Sequence, residues 1–130
     1  PLPASNHELA LTLDHTLNDY ISKFQKVDII ARTKSVICEM LPSGRTNSEL
    51  VADALHMSPR SLQRRLAGVE TTFRYLVELV RQELAKSYLA DKTYSMIEIT
   101  YMLGFSSQSS FSRAFKRWTG MTPQDYRDAI

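Results

Sequence analysis

Apolar residues recur at spacings of three and four along most of the chain and nowhere alternate with period two over the length of a strand. That pattern predicts an all-α protein. Pro1-Leu2-Pro3 reads as a short extended linker. Ser5-Asn6-His7-Glu8 behind it has the form of a capping box, in which the Ser side chain and the Glu three residues on satisfy each other's backbone N–H groups. Leu9, Leu13, Leu17 and Tyr20 then share one face of a first helix, and Val27, Ile30, Ala31, Ile37 and Leu41 carry a second. Pro42-Ser43-Gly44 stops it, so one or two N-terminal helices precede the rest.

Beyond that break the helix signals sharpen. Thr46-Asn47-Ser48-Glu49 is a second capping box, opening a short helix with Leu50, Val51, Ala54 and Leu55 on its inner side. Ser58-Pro59 starts the next, with Ser as cap and Pro in the first turn; it carries Leu62 and Leu66 and stops near Gly68. From Thr71-Thr72 a long helix runs to about Asp91, with an apolar stripe from Phe73 through Leu76, Val77 and Val80 to Leu84 that should hold it against what lies on either side. Ser95-Met96-Ile97-Glu98 is a third capping box, followed by Ile99, Met102, Leu103 and a turn at Gly104. Phe111, Phe115 and Trp118 form the core stripe of a further helix ended by Gly120, and Thr122-Pro123 caps a last short one containing Tyr126.

Two of these segments repeat a pattern. The first reads Val51-Ala52-x-x-Leu55-x-Met57-Ser58, then Leu62-x-Arg64-x-Leu66; the second reads Ile99-Thr100-x-x-Leu103-Gly104-Phe105-Ser106, then Phe111-x-Arg113-x-Phe115, with one extra residue in its turn. Each has the outline of a helix-turn-helix, a shape that a plain helical hairpin shares when it occurs once. The repetition favours the former, because the matched positions include an arginine that packing does not require. With Leu62 and Leu66 inward, a helical wheel points Arg64 outward, flanked by Arg60 and Ser61, with Gln63 and Arg65 toward the sides. With Phe111 and Phe115 inward, Arg113 points outward among Ser109, Ser110, Lys116 and Arg117.

Composition changes the picture only through placement. The formal net charge is just +2 in 130 residues, but no Asp or Glu occurs from Ala54 through Val69 or from Ile99 through Gln124. The basic excess thus gathers on two exposed helix faces, where a solvated surface and a polyanion-binding surface are the competing readings. Arg can donate two hydrogen bonds to guanine in the major groove, Gln can pair with adenine, and Ser adapts to either. A helix from Thr72 to Asp91 spans on the order of 30 Å, close to the roughly 34 Å between successive major-groove faces of a duplex. One chain could therefore set both faces on one side of double-stranded DNA.

Other chemistries find little footing. His7, His15 and His56 are too scattered for a metal site, the Ser-rich run from Ser106 to Ser112 lacks a nucleophile elbow and a partnered His, and no catalytic residue, metal or cofactor is expected. No stretch approaches the roughly 20 apolar residues of a membrane span. The single cysteine, Cys38, cannot form an internal disulfide and suits a reducing cytosol; its apolar neighbours suggest buried packing. The chain opens at Pro1, so it is expected to be a piece of a longer protein.

From about Thr46 to Arg127 the sequence resembles the DNA-binding domain of AraC-type transcription regulators. The run Leu103-Gly104-Phe105-Ser106-Ser107-Gln108-Ser109-Ser110-Phe111-Ser112-Arg113-Ala114-Phe115-Lys116-Arg117-Trp118-Thr119-Gly120 with Thr122-Pro123 and Tyr126-Arg127 carries the likeness most specifically, and Met57 to Leu66 is similar to that family's first recognition helix. The resemblance implies seven helices in two helix-turn-helix lobes joined by the long central helix, with 1–44 as linker and N-terminal helices after an absent upstream domain and 45–130 as the double helix-turn-helix domain. It places base reading at Arg60, Gln63 and Arg64 and at Gln108, Ser109, Ser112 and Arg113; Ser61, Arg65, Lys116 and Arg117 complete the expected DNA surface. Three departures stand out: His56 and Glu70 where relatives often have Gly, and Thr100 where a small Ala is usual. The implied role is a cytoplasmic, non-catalytic regulator, an activator recruiting RNA polymerase, with effector binding and dimerisation in the upstream domain. The rival from another class is a helical module binding an acidic protein partner.

Overall fold

The structure, a computed structural model, describes residues 2–130, with side chains for 16–21, 23–24 and 28–130. The side chains of Ser5, Glu8, Leu9, Leu13 and Val27, on which the first capping box and part of the early apolar pattern depend, lie outside the described residues, as does Pro1. The described elements are α1 (Leu2–Met40), a 3₁₀ turn (Leu41–Ser43), α2 (Ser48–Ala54), α3 (Pro59–Gly68), α4 (Phe73–Ala90), α5 (Met96–Met102), α6 (Gln108–Thr119) and α7 (Pro123–Ala129). The described residues are all helix and turn, as the periodicity predicted.

Of the one or two N-terminal helices expected there is one, α1, running unbroken for 39 residues. Nothing between Tyr20 and Val27 is Gly or Pro, so no residue forces a break. Leu2 and Pro3 sit in its first turn and are not extended; Pro there forfeits no intrahelical hydrogen bond. Ser5 is therefore inside the helix, not at its cap. Leu17 and Tyr20, predicted to face a core, stand exposed. So do Ala31 and Cys38, while Ile37 and Leu41 are fully buried. Cys38 follows Ile37 by one residue, about 100° round the helix, which turns it out of the core that Ile37 enters.

The remaining caps follow local chemistry. Ser58, Thr72, Ser95, Ser107 and Thr122 each accept a hydrogen bond from the backbone N–H three residues on, and Ser95 with Glu98 completes a true capping box. At α2 the cap is Asn47, one residue later than Thr46, and no box forms. Leu50 is exposed and Ala54 lies on the solvent side, with Val51, Ala52 and Leu55 inward.

Three helices end alike. At the ends of α2, α3 and α5 the chain turns through a left-handed residue, His56 (φ 60), Glu70 (φ 61) and Gly104 (φ 80). Each turn is closed by a Schellman pair: Met57 N–H to Ala52 O, Thr71 N–H to Leu66 O and Phe105 N–H to Thr100 O, the first two 3.0 Å and the last 3.1 Å. The departures noted at His56 and Glu70 thus fall on the positions where glycine costs least. Thr100 is buried, and its hydroxyl donates back to Met96 O at 2.8 Å, so the added polar atom is satisfied inside α5.

Two clusters form the interior. Ile29, Ile37 and Leu41 from the N-terminal segment join Val51, Ala52, Leu55, Leu62, Leu66, Leu76 and Val80; Ala85 and Leu89 join Ile99, Leu103, Phe111 and Phe115. The long helix α4 therefore gives its first half to one lobe and its second half to the other, with Leu84 touching both. The stripe expected to end at Leu84 continues in Ala85 and Leu89. Phe111 and Phe115 are core as predicted, while Trp118 packs half-buried at its edge, its indole N–H without a hydrogen bond.

The lobes meet where α4 passes the second turn. Arg81 Nε donates to Leu103 O at 3.0 Å, a terminal nitrogen reaches Gly104 O at 3.5 Å, and the guanidinium lies 4.6 Å from the Phe105 ring centre. Burial lowers the Arg81 pKa from its ordinary value and Glu78 pulls it back up; an arginine so placed stays charged and caps the carbonyl end of α5. A Cβ on Gly104 would stand 2.6 Å from Leu41 O. Arg127 makes the matching closure at the far end, donating from α7 to Leu89 O (3.0 Å), Tyr94 O (2.8 Å) and Asp91 O (3.2 Å).

Gly104 and Gly120 share the left-handed conformation, but nothing lies within 4 Å of a Cβ on Gly120. Gly120→Ala should therefore cost only the conformational term, about 1 kcal/mol, and Gly104→Ala at least about 2 kcal/mol, since the Leu41 backbone must also shift. Urea unfolding of the pair checks this; equal losses would mean the approach of the lobes carries no strain.

Candidate nucleic-acid interface

The outward faces of α3 and α6 form the candidate site, and each is aimed by the turn before it. The inward anchors are Leu62 and Leu66 in α3 and Phe111 and Phe115 in α6, all buried. Opposite them Arg60, Gln63, Arg64 and Arg65 are exposed on α3, with Ser61 partly covered; Gln108, Ser109, Arg113, Lys116 and Arg117 are exposed on α6, with Ser112 partly covered. The turn between α2 and α3 spans 55–58 and that between α5 and α6 spans 103–107, which is the extra residue the repeat showed.

The structure gathers these side chains in groups. Gln108, Ser109, Ser112 and Arg113 line one shallow open depression on α6. Arg60 and Gln63 line a groove between α3 and the start of α4, together with Ser48, Thr72 and Arg74. Ser61, Arg64 and Arg65 line neither, and Lys116 and Arg117 lie toward the C-terminal end of α6, in its last turn. Arg74 was missed by sequence reasoning. A wheel of α4 puts it off the apolar stripe but cannot place it beside α3; the left-handed turn at Glu70 does that.

Local electrostatics separate the two ends of α6. Its first turn has no acidic residue, Ser107 caps it, and Ser107 Oγ also pairs with the Ser110 hydroxyl at 3.0 Å. At its other end Arg117 meets Glu78 of α4 at 3.1 Å, with side chains 62% and 42% exposed. Such an open pair contributes little to stability, and it puts an acidic partner beside one of the cations expected from the sequence to face DNA. Among the described residues no group of His, Cys, Asp and Glu is placed to hold a metal ion, and no helix is long and apolar enough to cross a membrane.

Known proteins share this arrangement. A family model described as a helix-turn-helix domain matches residues 51–129. The transcriptional regulator VirS of Mycobacterium tuberculosis is 43% identical over 88 residues, covering 68% of this chain and 26% of that protein. The chain thus spans about a quarter of the length of the curated relatives it matches. Among solved structures, the C-terminal domain of the response regulator AraT from Geobacillus stearothermophilus superposes with a TM-score of 0.68 at 29% identity, covering 78% of this chain and 85% of that one. The DNA-binding domain of the global transcriptional factor AdpA, solved in complex with a target DNA, superposes at 0.63 with 26% identity, covering 77% and 90%.

The N-terminal caps of α3 and α6 hold the two candidate faces in place. Ser58→Ala and Ser107→Ala each remove one side-chain acceptor at the helix start and should cost about 1 kcal/mol in urea unfolding. A loss near zero for both would mean that neither hydroxyl sets its helix.

Proposed function

Since the chain belongs to the AraC-type family of helix-turn-helix transcription regulators, we propose that it binds double-stranded DNA sequence-specifically by placing α3 and α6 in adjacent major grooves. The observation that carries this is the pair of matched faces, each exposed, rich in Arg, Gln and Ser, and without an acidic residue of its own. The 18 residues of α4 give a spacer of roughly 27 Å, within reach of the roughly 34 Å groove repeat once the helices' own widths are added. Arg64 and Arg113 read bases as bidentate donors, aided by Arg60, Gln63, Gln108, Ser109 and Ser112. Ser61, Arg65, Lys116 and Arg117 set register on phosphates. For Arg117 this means exchanging Glu78 for the backbone of the duplex.

The protein acts without catalysis, as an activator in the cytoplasm that recruits RNA polymerase through an exposed face, while an upstream domain takes up effector and dimerises. An acidic protein partner gains no support from these faces beyond their charge, which DNA accounts for equally.

The experiment starts from a site selected out of a random duplex pool. Arg64→Ala and Arg113→Ala should each weaken specific binding by about 1–3 kcal/mol, and unchanged affinity in both would refute the assignment. Lys116→Gln should weaken all sequences alike and make the slope of log K against log salt shallower by about 0.9; a sequence-selective loss at constant slope would make Lys116 a base reader. Glu78→Gln, which frees Arg117, should tighten binding at low salt, and no change would remove Arg117 from the interface.

A further inference from the structure

The groove between α3 and the start of α4 has a volume of about 560 Å³, within the range of small-molecule sites. It follows α3 from Pro59 to Ala67, a rise of about 12 Å, so it suits an elongated body better than a compact one. Leu62, Leu66 and half-buried Phe73 give it an apolar floor. Its rim has the opposite chemistry. Arg60 and Arg74 line it from one helix each, both exposed, and no Asp or Glu does. Neither guanidinium has an ion pair among the described residues. Thr72, Phe73 and Arg74 are the cap and first turn of α4, where the leading N–H groups have no acceptor within the helix and the dipole favours an anion. In the same lining the Thr71 hydroxyl oxygen is buried with no hydrogen-bond partner among the described residues. The combination is no by-product of the repeat. Counted from Phe111 and Leu62, Ser109 and Ser112 stand in α6 where Arg60 and Gln63 stand in α3, and the depression they line with Gln108 and Arg113 is polar throughout.

We propose that this groove binds a carboxylate carrying a flexible apolar chain, and that the bound ligand competes with DNA. Charge complementarity selects the head: two unpaired guanidiniums and a helix N-terminus favour a monoanion and disfavour a cation. The apolar floor selects the body, which lies over Leu62 and Leu66 toward Ala67. Such a ligand occupies Arg60 and sets a negative charge on the face that would meet phosphates. The site therefore puts a second point of control on α3 itself, in addition to any upstream effector domain. The competition rests on the proposed assignment of Arg60 and Gln63 to bases; ligand binding does not.

The probe is decanoate below its micelle-forming concentration, titrated into the isotope-labelled 130-residue chain and followed by backbone amide shifts. Shifts should concentrate at 59–67 and 71–74 and fit a dissociation constant on the order of 1 mM or tighter. The Tm should rise, because the ligand binds the native state; a fall would mean detergent-like unfolding and overturn the site. Octanoate, two CH₂ groups shorter, should bind about 4- to 15-fold more weakly, and acetate should leave the groove amides unmoved. Arg74→Gln should weaken decanoate about fivefold or more; no change would overturn the cationic rim. Ala67→Trp, at an exposed position, should fill the groove and abolish binding without lowering the Tm. Against a selected duplex, decanoate at about five times its dissociation constant should raise the apparent Kd for DNA about sixfold, with equal acetate as the ionic-strength control and Ala67→Trp indifferent to it. Groove shifts with an unchanged Kd for DNA would overturn the competition and count against Arg60 as a base reader. Absence of groove shifts overturns the site, whether or not DNA is read as proposed.

Discussion

Arg81 reaches out of α4 to the carbonyls that end α5, and beside it the backbone of Gly104 comes close enough to Leu41 that a single added carbon would collide with its oxygen. These contacts add to the link that α4 makes by giving one half to each lobe. The first lobe is packed by α1 to α3 and the second by α5 to α7, and their apolar clusters touch through Leu84. A hydrogen-bonded guanidinium is directional where apolar packing is not, so Arg81 fixes the second turn in rotation as well as distance. Leu41 is itself fully buried in the first cluster, which makes the 3₁₀ turn that follows α1 a strut between the lobes. The orientation of α6 relative to α3 depends on that strut.

With both helices held, modest chemistry suffices at the surface. A net charge of +2 would be a weak attractor for a polyanion if it were spread evenly. Here the acidic residues are kept off the outward faces of α3 and α6, and the nearest one that matters, Glu78, is drawn into an exposed pair with Arg117. An exposed pair breaks at small cost, so it holds the side chain in place without withdrawing it. Donors at fixed positions require fixed helices, and the left-handed turns at His56 and Gly104 set the angles at which α3 leaves α2 and α6 leaves α5.

Much of this was legible in the sequence because it is local. Ser58, Ser95 and Thr122 cap their helices within three residues, and the repeated turn with its outward arginines follows from spacing alone. The errors have physical causes. Thr46 and Asn47 are both able caps, and choosing between them requires the helix start itself. The N-terminal apolar residues switch from one face of α1 to the opposite one between Phe24 and Ile29, which in sequence looks like a break; a continuous helix can bury different faces at its two ends. The sequence neighbours of Cys38 are apolar, but its angle from Ile37 decides its exposure. Arg81 acts across elements distant in sequence, and Arg74 lines a groove with residues of α3; periodicity holds no sign of either.

The central claim is that one chain presents two recognition helices to one side of a duplex as a rigid pair. Methylation protection on a selected site, read at guanine N7 in the major groove, tests it directly. The account predicts protected positions in two groups about one helical turn, roughly 10 base pairs, apart on the same face, with Arg64→Ala exposing one group and Arg113→Ala the other. A single protected group, unaffected by one of the two substitutions, would contradict it.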